Sequence, residues 1–355
     1  MKERYMNTGF ITHKDSTILY GIAIILMVFH HCFCIPSRLN YNYIPVIFNI
    51  ETLARLAYIG KLCVAFYAFI SRYAFAKKHY TSTELFSRFK ECVIISVTKL
   101  LKFYSTFWFV WVIFIPLGIQ FFDKPSNISS ILKSLFLGEG YNGEWWYVKQ
   151  YLLFLIVFPF LESFLLFLNS FDKKRISYYF GVICISLILM HGIGIPIVFL
   201  ITKLVRRIMN SYMIIFLIAY LIGKNNIYEY IDNNVQIPNL FYHVFIIMMI
   251  FLRWVLVRAP AESKLDIIIS PIVIFSIVKL LHTIKKDNKI LKLIDIFGRY
   301  STIIWLSHTF WIYYYFQNII LLPKYSILIF IWALVICLLN AIVLDYLFRK
   351  IKLLA

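Results

Sequence analysis

Apolar runs of about 18 or more residues recur along this chain from end to end, and nothing in it constrains the fold more. Each run is long enough to cross a hydrocarbon layer of about 30 Å as a helix. The chain is 61% hydrophobic and 15% charged over 355 residues, where a soluble domain would carry about 25% charge. It therefore reads as an all-α polytopic membrane protein, with residues 1–355 forming a single bundle. Ten spans are predicted, near 16–35, 56–75, 93–115, 145–168, 176–198, 209–222, 240–257, 267–281, 301–321 and 327–347; the sixth and eighth are short. The first 13 residues are mixed and polar, and no small-residue cleavage site follows the first run, so no signal peptide is expected.

The formal net charge of +19 does not point to nucleic acid. The Lys and Arg residues sit mostly between apolar segments, which fits the positive-inside rule and anionic lipid headgroups. Lys77, Lys78, Arg88 and Lys90 follow the second span, Lys173, Lys174 and Arg175 the fourth, Lys285, Lys286, Lys289, Lys292 and Arg299 the eighth, and Arg349, Lys350 and Lys352 the last. An even span count puts them on the side of Lys2, Arg4 and Lys14. That side is cytoplasmic, and both termini are expected there, in a plasma or inner membrane. Arg206 and Arg207 fall on the opposite side, and the largest extracytoplasmic loop is expected at 116–144. Six cysteines without a C-x-x-C spacing read as buried free thiols. No Walker A, G-x-G-x-x-G or G-x-S-x-G motif is present, which leaves a nucleotide-driven pump or a soluble-type hydrolase without support. The absence of an internal repeat argues against the common transporter folds.

Ionisable groups at membrane depth are costly and mark functional sites by default. The first span ends on His30 and His31, about 22 Å along the helix from Ser16 at 1.5 Å per residue. Imidazole titrates near neutrality and can take a proton from a hydroxyl; the alternative is a hydrogen bond to a neighbouring helix. Lys99 and Lys102 lie near one face of the third span, in its cytoplasmic half. They suit either headgroup snorkelling or a cationic pocket for phosphates. Glu144, Trp145, Trp146 and Tyr147 open the fourth span, as an interfacial belt or as a carbohydrate platform with an adjacent carboxylate and Asn142. His308, in the ninth span, is a further intramembrane imidazole, for helix packing or for substrate.

Together these stretches resemble acyltransferase family 3, the integral membrane O-acyltransferases, over most of the chain. The family's opening helix has an Arg or Lys, ten residues, then a catalytic His; here that register pairs Tyr20 with His31. Lys99-Leu-Leu-Lys102 resembles the family's R-x-x-R block, with lysines that keep the charge and lose the bidentate fork. Phe69-Ile-Ser-Arg-Tyr73 resembles F-x-S-G-Y, with Arg72 in place of the glycine. Trp145-Trp-Tyr147 and the stretch from Gly298 to His308 resemble W-W-F and G-x-x-S…H.

The resemblance implies transfer of an acyl group, most often acetyl, from cytoplasmic acyl-CoA to a hydroxyl of an extracytoplasmic glycan or lipid-linked oligosaccharide. His31 would be the catalytic base, Lys99 and Lys102 would bind the CoA phosphates, and His30, Glu144, Trp145, Trp146 and His308 would contact substrate. Acetyl-CoA would be a co-substrate, with no permanently bound cofactor and no metal. Two other readings stay open at this point: a flippase for a lipid-linked glycan, and a family member inactivated by the departures at Tyr20 and Arg72.

Overall fold

The computed structural model describes residues 9–78, 80, 82–169, 211–256, 264–285 and 287–354. The described residues are helical with no strand; one isolated parallel bridge joins Ile44 to Tyr325. Among the described residues seven helical stretches are long and apolar enough to cross a membrane, Ile50–Ala76 counted as one, and the expected all-α polytopic architecture is what the chain adopts. The expected span at 176–198 lies outside the described residues, as do Lys173 to Arg175, Cys184, Arg206 and Arg207.

The first helix, α1 (His13–Phe33), begins in a capping box, in which Thr12 and Asp15 satisfy each other's backbone amides. It is the hub of the bundle. It packs against α2 (Ile50–Ile59), α3 (Leu62–Ala76), the amphipathic α11 (Lys289–Arg299), α12 (Ser301–Thr309) and α14 (Ser326–Leu354). The crossing of α1 and α11 is made by reciprocal glycines. A Cβ on Gly21 would collide with the Ile294 carbonyl oxygen, and one on Gly298 with the carbonyl oxygen of Thr17. Neither backbone leaves room for a side chain, and such small-residue contacts are how helices approach closely in lipid.

A second group of helices surrounds this hub. Helix α4 (Leu85–Phe121) pairs with α6 (Trp146–Asn169), and α3 packs along α7 (Ser211–Lys224). The short α8 (Ile227–Asn234) leads to α9 (Asn239–Leu256), which pairs with α10 (Asp266–Thr283). Burial pushes the Glu229 carboxyl of α8 up, but hydrogen bonds from Lys77 and from the Phe10 amide outweigh it and hold the group below its ordinary 4.5.

Three segments differ from the sequence expectation, each for a local reason. The third span starts eight residues earlier, because Arg88 is buried against Glu162 of α6 at 3.0 Å and can sit inside the helix. The loop at 116–144 holds a helix, α5 (Ile128–Leu137), capped by Asn127 at its start and by left-handed Gly138 at its end. The ninth span is broken. α12 stops at Thr309, a π turn follows (Phe310–Tyr314), and α13 (Gln317–Leu321) completes it. The amides of Tyr315 and Phe316 both reach back to the Phe310 carbonyl, at 2.9 and 3.1 Å. A widened turn of this kind often marks a functional position.

Arg72 is fully buried, and its three guanidinium nitrogens have no hydrogen-bond partner. Four rings enclose it: Phe158 and Phe216 at 4.1 Å, Tyr220 at 4.7 Å and Phe75 at 5.0 Å from the guanidinium carbon. Cation–π attraction is strongest when desolvated in this way. The small residue that lets α3 and α7 approach is Gly223, whose Cβ would press on Ala76. The bulk introduced at Arg72 is thus taken up by aromatic packing between α3, α6 and α7.

Candidate active site

The last turn of α1 presents two histidines with different surroundings. Both ring nitrogens of His30 are occupied. Nδ1 donates to the Ala57 carbonyl at 2.9 Å, which leaves Nε2 to accept from the Cys34 thiol at 3.4 Å. The Ala57 carbonyl lies at the end of α2, where the chain breaks at Gly60 and Lys61 before α3 begins. The neighbouring Tyr58 carbonyl accepts from Arg253 at 2.7 Å, and Arg253 is held in turn by a buried bidentate pair with Asp266. His30 is therefore a brace for a broken helix at membrane depth, adding a side-chain bond to a carbonyl that otherwise accepts only the short-turn bond from the Gly60 amide.

His31 is placed otherwise. Its Nε2 lies 3.7 Å from Oε2 of Glu144, and its Nδ1 is buried without a partner. Glu144 is fixed by several contacts. It sits in a 3₁₀ turn (Gly143–Trp145), where the Asn142 side chain caps its amide at 2.9 Å. Asn142 also donates to Thr309 at 2.7 Å, and the Trp145 indole donates to the Leu306 carbonyl at 2.9 Å. The other carboxylate oxygen, Oε1, accepts from Arg38 and from the Tyr313 hydroxyl, each at 3.1 Å. Arg38 comes from the short 3₁₀ turn after α1 (Pro36–Leu39). Tyr313 comes from the π turn, which carries its ring round to Glu144. The base candidate, its carboxylate and two holders of that carboxylate thus come from four separate parts of the chain.

One cavity of about 650 Å³ opens onto this cluster. It runs beside α1 from Tyr20 to His31, a rise of about 16 Å. At the Tyr20 end it is lined by Lys99, Lys102, Arg299 and Arg349, and at the His31 end by His30, Lys61, Glu144 and Trp146. Lys99 lies 4.5 Å from the centre of the Phe75 ring, while Arg299 and Arg349 pair with Asp295 and Asp345 at 2.5 and 2.8 Å.

Of the residues singled out in the sequence, His30, His31, Lys99, Lys102, Glu144 and Trp146 line this one cavity, and Trp145 and His308 do not. Trp145 is wholly buried and anchors the Glu144 turn to α12. His308 is wholly buried behind His31, with ring centres 4.9 Å apart and its Nδ1 directed at the Trp305 and Ile304 carbonyls. Tyr20 stands in the cavity wall against Tyr67, ring centres 5.1 Å apart.

The match to the family model described as an acyltransferase domain covers residues 17–346. The chain belongs to acyltransferase family 3. No curated protein and no solved structure matches it significantly. As a membrane acyltransferase of this family, it contains cavity and cluster residues that sequence reasoning did not single out, among them Arg38, Lys61, Arg299, Tyr313 and Arg349. Lys61 carried a usable signal, since it is an ionisable residue in the middle of an apolar run, the criterion that selected His31. Arg299 and Arg349 read as ordinary basic loop residues. Nothing in the spacing of Arg38 or Tyr313 announces that they meet at Glu144.

Proposed function

We propose that this acyltransferase moves an acyl group, acetyl in the first instance, from cytoplasmic acyl-CoA to a hydroxyl of an extracytoplasmic glycan. The observation that carries the reading is the single cavity. Four cations stand at one end, suited to the phosphates of CoA. A partnerless imidazole nitrogen backed by a carboxylate stands at the other. On this reading the cationic end faces the cytoplasm, both termini lie there, and the acyl thioester reaches along α1 to His31.

The chemistry follows from the surroundings of His31. With the Glu144 carboxylate beside one ring nitrogen, the His31 imidazole is set to remove the proton from the acceptor hydroxyl. The hydroxyl oxygen attacks the thioester carbonyl carbon, the C–S bond breaks, and the departing thiolate takes the proton back from His31. The products are an ester and a free thiol. Glu144 acts as a positioning residue that fixes the ring and stabilises the transient imidazolium, in the manner of a base held by a third group. Catalytic hydrogen bonds are commonly long before substrate arrives, which accommodates the 3.7 Å separation.

The test uses protein in lipid nanodiscs, radiolabelled acetyl-CoA, and surface polysaccharide from cells lacking the gene. Label should pass to the polysaccharide as an alkali-labile ester with one thiol released per ester. His31→Ala should abolish transfer and His30→Ala should lower thermal stability more than turnover. The reading fails if polysaccharide from cells with and without the gene has the same O-acyl content by NMR.

A further inference from the structure

We infer that Lys61 is a catalytic residue of this transfer, its ammonium receiving the negative charge that develops on the thioester carbonyl oxygen. The inference rests on the acyl-transfer reading above. Lys61 occupies the break between α2 and α3, and its side chain lines the cavity at the His31 end. The break is pressed onto the last turns of α1: a Cβ on Gly60 would strike the Leu26 carbonyl oxygen and the His30 Cβ. The Lys61 Nζ lies 5.7 Å from the centre of the Trp146 ring, and Trp146 follows two residues after Glu144. The ammonium therefore shares the chamber in which His31 and Glu144 meet.

Several cations in or beside the spans are paired with carboxylates, Arg253 with Asp266, Arg88 and Lys224 with Glu162, Lys77 with Glu229, while Arg72 is closed in by four rings. The Lys61 ammonium has neither an ion pair nor a hydrogen bond among the described residues, only the Trp146 ring beside it, and it opens onto the cavity. The fold thus sets an unpaired ammonium in a chamber where the reaction creates a negative oxygen.

In the step, the acceptor oxygen adds to the carbonyl carbon as His31 takes its proton. The former carbonyl oxygen becomes an oxyanion and accepts a hydrogen bond from Lys61. When the C–S bond breaks, the carbonyl re-forms and the charge leaves with the thiolate, which recovers the proton from His31. Lys61 keeps its own protons throughout. Charge stabilisation aimed at the transition state raises kcat without tightening substrate binding.

The experiment compares wild type, Lys61→Gln and Lys61→Arg in nanodiscs. It measures equilibrium binding of acetyl-CoA alone, thiol release with the ester-free polysaccharide, and the thermal midpoint. Losing one such donor lowers kcat by about 10²–10³-fold. Lys61→Gln should show that loss with an acetyl-CoA Kd within about twofold of wild type, and Lys61→Arg should recover at least tenfold of it. Removing a charge from the membrane interior relieves a desolvation cost, so Lys61→Gln should retain its thermal midpoint. If its midpoint falls, the Lys61→Arg protein decides, and a wild-type kcat there combined with a raised Kd overturns the inference. Lys61→Gln with kcat within threefold of wild type also overturns it, as does a raised Kd with kcat spared, which would make Lys61 an anion-binding residue. A wild-type protein that binds acetyl-CoA and releases no thiol overturns the acyl-transfer reading itself, and this inference with it.

Discussion

Replacing Glu144 with glutamine removes one charge while keeping the shape and the acceptors for Arg38 and Tyr313. The Oε2 to Nε2 separation is 3.7 Å. At an effective dielectric of 20, a unit pair at that distance attracts by about 4.5 kcal/mol. The carboxylate is shared, since Arg38 and Tyr313 both hold its Oε1 at 3.1 Å, so roughly half of this is open to the His31 imidazolium. A loss of about 2 kcal/mol in the transition state lowers kcat roughly 30-fold. The Glu144→Gln enzyme should therefore bind acetyl-CoA as wild type does, transfer acetyl about 30-fold more slowly, and keep its thermal midpoint. Stopped-time assays of thiol release at saturating acetyl-CoA measure this directly. A kcat within threefold of wild type would refute the argument, because His31 would then work without its carboxylate. A loss confined to KM would move Glu144 from positioning the base to gripping the acceptor.

Two further outcomes are expected. Lys99 and Lys102 are exposed residues that share the cationic end with Arg299 and Arg349. Each single alanine should therefore weaken acetyl-CoA binding only about two- to fivefold by isothermal titration, as for solvated charge pairs, whereas Lys99→Ala with Lys102→Ala together should weaken it further and unchanged affinity in the double variant would detach CoA from this end. Glu229 titrates below its ordinary value, so its contribution to stability is complete above about pH 4.5 and fades as the pH falls through the lower native value. Glu229→Gln should thus lower the melting temperature at pH 7 and hold that gap down to about pH 4.5, the gap closing only as melts are taken below it, and a gap that persists unchanged there would dismiss the ion pair with Lys77 as its source.

The legible parts of this molecule were those governed by composition and short-range spacing. Apolar runs announced helices because a span must satisfy its own backbone, and His31 stood out because an imidazole at the end of such a run is expensive. The four-residue Lys99 to Lys102 block was visible for the same reason. What the sequence concealed was assembly. Arg38 and Tyr313 are 275 residues apart and meet only because a 3₁₀ turn and a π turn bend towards one carboxylate. The π turn itself was hidden inside an apolar run that reads as one continuous span, since its widened hydrogen bonding leaves no mark on hydropathy. His30 and His31 are alike in sequence and differ in surroundings, because one bonds the Ala57 carbonyl at the Gly60 break and the other faces Glu144. Trp145 and Trp146 divide in the same way, one into the protein interior and the other into the cavity.

The reciprocal glycine crossing also bears on how the protein is made. Thr17 and Gly21 lie on α1, and their backbone partners, Gly298 and Ile294, are synthesised more than 270 residues later. Until then α1 sits in the bilayer without its closest neighbour, and the π turn that completes the Glu144 cluster comes later still. Contacts this distant along the chain form slowly and late. Helix α1 is thus held in its final place by segments that follow it at a distance, so a chain interrupted before Ile294 would still lack the crossing that sets α1 in place.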